Sequence, residues 1–145
     1  MNILIRPARA ADITTIFSIR ISVKENILSL EQLTDMGITP DVILEMLALP
    51  DCIWVADIDG ITAGFAIADM EEGSLFALFV LPEYEGLGLG KQLMDHAEAA
   101  LFQQHSEIWL ETDSQSRAAV FYQRRGWDAV EQLAGTDKRY QKIRP

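Results

Sequence analysis

The chain has 145 residues, 49% of them hydrophobic, which sets the expectation of a single domain over residues 1–145 with a substantial core. Lys and Arg number 12 against 22 Asp and Glu, for a net charge of −10. That balance argues against a nucleic-acid or anionic-membrane partner, both of which reward a basic surface; it suits solubility, and secondarily the steering of a cationic acceptor such as an amine.

In chain order, Asn2 to Arg6 reads as a short strand. A helix is expected from about Ala11 to Val23, with Ile13, Ile16, Phe17 and Arg20 on one face and Asp12 in its first turn. Residues 28–40 read as loop or broken helix, and Pro40 then opens a second helix to Leu49 at a permitted first-turn position. Strands at Cys52–Asp57 and Ile61–Ala68 flank Asp59-Gly60, a strong hairpin signal. Leu75–Leu81 is the next strand, followed by a glycine-rich turn and a helix from about Gly88 to Gln104 with an apolar stripe through Leu89, Leu93, Ala97, Ala100 and Leu101. Ile108–Thr112 follows as a strand parallel to its predecessor through that crossover. Ser114 is a candidate N-cap for a helix at 115–125, which Gly126 ends. Two last strands lie near 127–133 and 138–143. The class is mixed α/β: a mostly antiparallel sheet with one central parallel βαβ unit and flanking helices.

Cys52 stands alone, so no internal disulfide is expected, and its apolar strand context predicts a buried thiol. His96 and His105 make no metal-ligand constellation, and no metal is expected. The N-terminal residues contain no long apolar stretch and no run approaches the ~20 residues a membrane helix needs. A soluble cytoplasmic protein is the expectation.

Residues 78–93 carry the strongest chemical signal. An apolar run ends at Pro82, Gly86, Gly88 and Gly90 follow at alternate positions, and a helical pattern begins at once. Glycines allow a sharp turn and close approach of a ligand to backbone. The first N–H groups of a helix lack intrahelical partners and, with the dipole, form a phosphate site. A Walker loop fails here: Gly90-Lys91 is followed by Gln92 rather than Ser or Thr, and Glu85 stands where its first glycine belongs. A dinucleotide fingerprint fails too, because the third glycine comes one residue early.

The stretch Glu85-Gly86-Leu87-Gly88-Leu89-Gly90, preceded by Val80-Leu81-Pro82-Glu83-Tyr84, resembles the acyl-CoA motif Gln/Arg-x-x-Gly-x-Gly/Ala of the Gcn5-related N-acetyltransferases. A second stretch, Gln115 to Trp127, is similar to that family's Asn-x-x-Ala-x-x-Phe/Leu-Tyr-x-Lys-x-Gly-Phe: Ala118, Phe121-Tyr122 and Gly126-Trp127 match. Arg6-Pro7-Ala8 with Asp12 also looks like the family's first strand and helix. Two departures stand out. Glu85 replaces Gln or Arg, which adds about 0.3–1 kcal/mol of repulsion toward a pyrophosphate if the carboxylate faces it. Gln115 replaces the usual Asn.

The resemblance implies acetyl-CoA as co-substrate, held by backbone of Glu85, Gly86, Leu87, Gly88, Leu89, Gly90 and Lys91, with Gln115 nearby. It implies a pantetheine arm passing between splayed strands and pairing with backbone at Leu78, Phe79 and Val80. It also implies Tyr122 as the acid that protonates the leaving thiolate, and Glu111, with Asp113 as fallback, as the base for an attacking amine. As plain structure, Tyr122 would be a packed aromatic and Glu111 an outward strand residue. The acceptor would be a small-molecule or peptide amine bound near the first helix and the loop after it, where Arg20, Glu25, Asn26 and Asp35 are the polar candidates; taken singly, each reads as ordinary surface or capping. The reading leaves room for a homodimer. Two rivals remain open: a non-catalytic CoA-binding or regulatory module, and an association domain in which the glycine turn is only structural.

Overall fold

The computed structural model describes residues 2–145. Seven strands form one sheet: β1 (Ile3–Pro7), β2 (Ile53–Ile58), β3 (Ile61–Asp69), β4 (Ser74–Val80), β5 (Glu107–Asp113), β6 (Asp128–Gln132) and β7 (Asp137–Ile143). The spatial order is β1-β2-β3-β4-β5-β7-β6, and β4–β5 is the parallel pair among antiparallel neighbours. The helices are α1 (Ile13–Arg20), α2 (Leu30–Asp35), α3 (Pro40–Leu47), α4 (Leu89–Gln104) and α5 (Arg117–Arg124).

The alternation of β2 and β3 places side chains in two cores. Val55, Phe65 and Ile67 pack with Ile16, Phe17, Leu33 and Ile43 from α1 to α3. Trp54, Ala56 and Ala66 pack with Leu93, Met94, Ala97 and Leu101 of α4 on the other face. The hairpin at Asp59-Gly60 has φ of 50° and 84°, the pair of positive values its turn type demands. Cys52 is buried, and its thiol donates to the Met46 carbonyl at 2.9 Å. Among the described residues no helix is long and apolar enough to cross a membrane.

Several element ends shift by a residue or two from the sequence expectation, and three differences have a plain local cause. The first helix stops at Arg20, where the Ser22 hydroxyl bonds back to the Ser18 carbonyl at 2.6 Å and Ile21 leaves regular helix. Within 28–40, Ser29 and Gln32 form a capping box that sets up the short α2. The last helix is capped by Ser116, not Ser114. The Ser114 hydroxyl goes to the Thr136 carbonyl at 2.6 Å, whereas Ser116 Oγ accepts the Ala119 N–H at 3.1 Å.

Candidate active site

β4 and β5 are in register at one point, Ser74 with Trp109, near their N-terminal ends. Beyond it they part. Leu78, Phe79 and Val80 remain paired to β3 through Ala66, Phe65 and Gly64, and β5 remains paired to β7. The edges of β4 and β5 that face each other are therefore open along a groove of about 910 Å³. Ligands of βα units sit at this C-terminal end of the strands.

The N-terminus of α4 closes one end of the groove. Gly86 and Gly88 have φ of 77° and 91°, which turns the chain tightly enough to begin α4 at Leu89. The consecutive backbone N–H groups from Gly86 to Lys91 donate to no protein acceptor among the described residues; the first intrahelical bond runs from Gln92 N to the Gly88 carbonyl at 3.1 Å. Gly90 differs from its two neighbours. Its φ is not positive, and a Cβ placed there would meet Phe121 at an ordinary 3.9 Å. Neither backbone conformation nor protein packing requires glycine at this position, and Gly90 lines the groove.

α5 forms the opposite wall. Tyr122 is buried, in edge contact with Phe121 at a ring separation of 5.4 Å and with Trp127 at 6.0 Å. Among the described residues its hydroxyl has no protein partner, yet no side-chain oxygen or nitrogen is both sealed and unpartnered, so the hydroxyl is accessible in a residue that lines the groove. Burial pushes this phenol well above its ordinary pKa, slightly countered by Arg125, so it keeps its proton through the neutral range.

Glu111 and Asp113 both line the groove from β5, but their carboxylates are engaged differently. Glu111 Oε2 accepts from Arg139 Nη2 at 2.9 Å, and that guanidinium lies 4.1 Å over the Trp109 ring. Asp113 Oδ1 accepts from the Thr136 hydroxyl at 2.7 Å and the Gln115 N–H at 2.9 Å, which holds its pKa below the ordinary value, the hydroxyl contributing most. Asp113 thus organises the turn between β5 and α5.

A second, apolar cavity of about 240 Å³ lies beneath α1, α2 and α3. It meets the groove at Asn26, Phe76, Ala77 and Phe79, which line both. Phe76 is the extra residue of a β-bulge, since Ile67 pairs with Ala77 and Ala68 with Leu75. Arg20 also lines this second cavity and is only 9% exposed.

A model of the acetyltransferase (GNAT) domain matches residues 50–129, more than half of the chain. The chain belongs to the GNAT family. The peptidyl-lysine N-acetyltransferase YiaC of Escherichia coli is 35% identical over 79 residues, covering 54% of this chain and 51% of the relative. An uncharacterized N-acetyltransferase of Archaeoglobus fulgidus is 38% identical over 50% of this chain and 56% of its own length. The chain thus spans about half the length of the curated relatives it matches. In fold it is similar to PaiA N-acetyltransferase of Thermoplasma acidophilum, solved with coenzyme A, at a TM-score of 0.80 and 21% identity over 99% of this chain and 100% of that one. It is also similar to Arabidopsis thaliana Naa50, solved with the bisubstrate analogue CoA-Ac-MVNAL, at a TM-score of 0.72 and 16% identity over 98% and 99% of the two chains.

The GNAT fold brings most of the expected residues to one groove. Leu78, Phe79, Val80, Glu85, Gly90, Glu111, Asp113, Gln115 and Tyr122 line it, while Gly86, Leu87, Gly88, Leu89 and Lys91 form the turn and first helical turn at its end. The departure at Glu85 is compensated: its carboxylate accepts from Arg117 Nη2 at 2.8 Å. Arg117 also bonds Glu25, so the loop after α1 is tied to the start of α5. Sequence reasoning missed this bridge, because residues 25, 85 and 117 share no local pattern. It missed Arg139 as well, although Glu111 opposite Arg139 is a cross-strand pair once the β5–β7 register is known. Arg20, read singly as surface or capping, is buried. Asp35 lines neither cavity.

Proposed function

We propose that this chain is an acetyl-CoA-dependent N-acetyltransferase, with residues 1–145 acting as one catalytic domain. The observation that carries the reading is the run of unbonded N–H groups from Gly86 to Lys91 at the end of a groove between parted strands. Those donors suit a pyrophosphate, and the free β4 edge at Leu78 to Val80 suits the amide groups of a pantetheine arm. Gly90 fits the same ligand, since its lack of a side chain answers to nothing in the protein. The bound thioester would supply the acyl carbon.

An amine nitrogen bonds to that carbon, the carbon–sulfur bond breaks, and sulfur leaves as a thiol. Tyr122 donates the proton the sulfur takes up; its pKa, raised by burial, keeps it protonated beforehand. Glu111 is the preferred base for the amine's proton. Both carboxylates line the groove; Glu111 is held by one partly exposed arginine, Arg139, whereas Asp113 is committed to two hydrogen bonds that form the turn and lower its pKa, so Asp113 is the fallback. The acceptor enters from the α1–α3 side, where the second cavity joins the groove.

Thiol release from acetyl-CoA, measured over free amines, lysine peptides and peptide N-termini with mass spectrometry of the products, tests the reading. Turnover with at least one amine supports it. CoA binding with no turnover on any amine favours a non-catalytic module, which would accord with both carboxylates being engaged by protein groups. No CoA binding removes both readings and leaves an association domain.

A further inference from the structure

Arg20 is the one formally charged group lining the cavity beneath α1 to α3, and no Asp or Glu lines that cavity. Its Nη1 donates to the Asn26 carbonyl at 3.0 Å, and its guanidinium carbon lies 4.3 Å from the centre of the Phe79 ring. No carboxylate pairs with it among the described residues. Among the described residues its other N–H groups bond no protein atom, yet no side-chain nitrogen is sealed without a partner, so they remain accessible in a residue that lines the cavity. A buried, unpaired guanidinium is costly to keep. Among the described residues every other buried ionised side chain is paired: Asp12 with Arg6, and Glu98 with Arg125 and Lys142.

The position of the charge matters as much as its isolation. Asn26 and Phe79, the two residues that hold the guanidinium, line both the apolar cavity and the groove. Arg20 itself lines only the cavity, so an anion on it would lie beside the residues that join cavity and groove. From there an amine one carbon away could reach toward the groove, and an apolar substituent on the same carbon would find a cavity of about 240 Å³, room for a group of leucine to phenylalanine size.

Resting on the acetyl-transfer reading of the groove, we propose that the acceptor is a free α-amino acid with an apolar side chain, its carboxylate held by Arg20. A peptide N-terminus has an amide where this carboxylate would be, and a peptide lysine has no anion near its amine, so the proposal selects against both. Bidentate recognition of a carboxylate is the geometry a guanidinium provides best.

The test separates binding from turnover. Calorimetry on the CoA-bound protein compares N-acetyl-L-leucine and N-acetyl-L-phenylalanine, as product mimics, with their carboxamides. The acids should bind at least about tenfold tighter, the scale of a charge-assisted pair. In Arg20→Met, which keeps the length and packing of the stem, the preference should fall below about threefold. Arg20→Lys, which keeps the charge and loses the fork, should retain part of it and serves if Arg20→Met does not fold. Equal binding of acid and amide by wild type, binding of neither, or a preference that survives Arg20→Met overturns the proposal. Thiol release with L-leucine, L-leucinamide and a leucyl peptide gives the second arm. Release with the amide or the peptide at least as fast as with the acid overturns the proposal while leaving acetyl transfer standing. No release with these or any other amine is the failure of acetyl transfer itself.

Discussion

Replacing Gly90 with alanine separates ligand binding from folding more cleanly than any other change in the glycine turn. At Gly86 and Gly88 positive φ values mean that any side chain strains the backbone, so lost binding there would be confounded with lost stability. Gly90 lies in the first turn of α4 without positive φ, and its new Cβ would come no closer than 3.9 Å to Phe121. Alanine is the better helix former by up to about 1 kcal/mol, less in a first turn, so thermal unfolding of the free protein should rise by up to ~2–4 °C and should not fall. The same methyl stands in the groove wall, where the proposed CoA complex would bring backbone against the pyrophosphate. Losing one charge-assisted contact is worth about 1.5–3 kcal/mol, so CoA affinity by calorimetry should drop at least about tenfold. A stable Gly90→Ala protein with unchanged CoA affinity would refute the reasoning.

Tyr122→Phe should lower kcat at least about tenfold with CoA affinity held, since only the hydroxyl is removed; near wild-type turnover in steady-state assays would return Tyr122 to a packing role. Glu85→Gln should change CoA affinity less than about tenfold, because the charge removed is already paired with Arg117 at a largely exposed site. Calorimetry showing a gain of a hundredfold or more would mean that the carboxylate faces the pyrophosphate. Glu98→Ala should cost about 3–5 kcal/mol in urea unfolding, since it strands Lys142 and the Trp127 indole N–H and leaves Arg125 with only its exposed partner Asp95. Burial opposes the charge on Glu98, but hydrogen bonds from Arg125, Lys142 and Trp127 outweigh it and hold the pKa below its ordinary value. Its contribution is therefore fully present above the unfolded carboxylate pKa and is lost as pH falls through the lower folded value. Stability measured from pH 7 downward should decline in that acid range for wild type and decline less for Glu98→Ala.

The fold was legible where local chemistry determines it. Asp59-Gly60 announces its hairpin, Pro40 its helix start, and the three alternating glycines the opening of α4. The helix before β6 was misplaced at its start because both Ser114 and Ser116 are competent caps, and a carbonyl from the distant turn at Thr136 decides between them. The groove followed from the parallel β4–β5 crossover, and its catalytic candidates from the two GNAT motifs. What the sequence could not display was charge compensation across the fold. Arg117 joins Glu25 and Glu85 over long separations, and Arg139 reaches Glu111 only through sheet register. The burial of Arg20 was hidden for a related reason. An arginine at the end of an amphipathic helix ordinarily reaches solvent, and here the chain through Asn26, a residue with φ of 57°, folds back over it.

The central claim is that backbone between Gly86 and Lys91, together with the free edge at Leu78 to Val80, holds the phosphate and pantetheine parts of CoA. Amide nuclear magnetic resonance of the isotope-labelled protein, titrated with CoA, reads those N–H groups one by one. The amides of Gly86 to Lys91 and of Leu78 to Val80 should shift most and become slower to exchange with solvent. Saturating CoA that leaves these amides in place, or that perturbs a different surface instead, would contradict it.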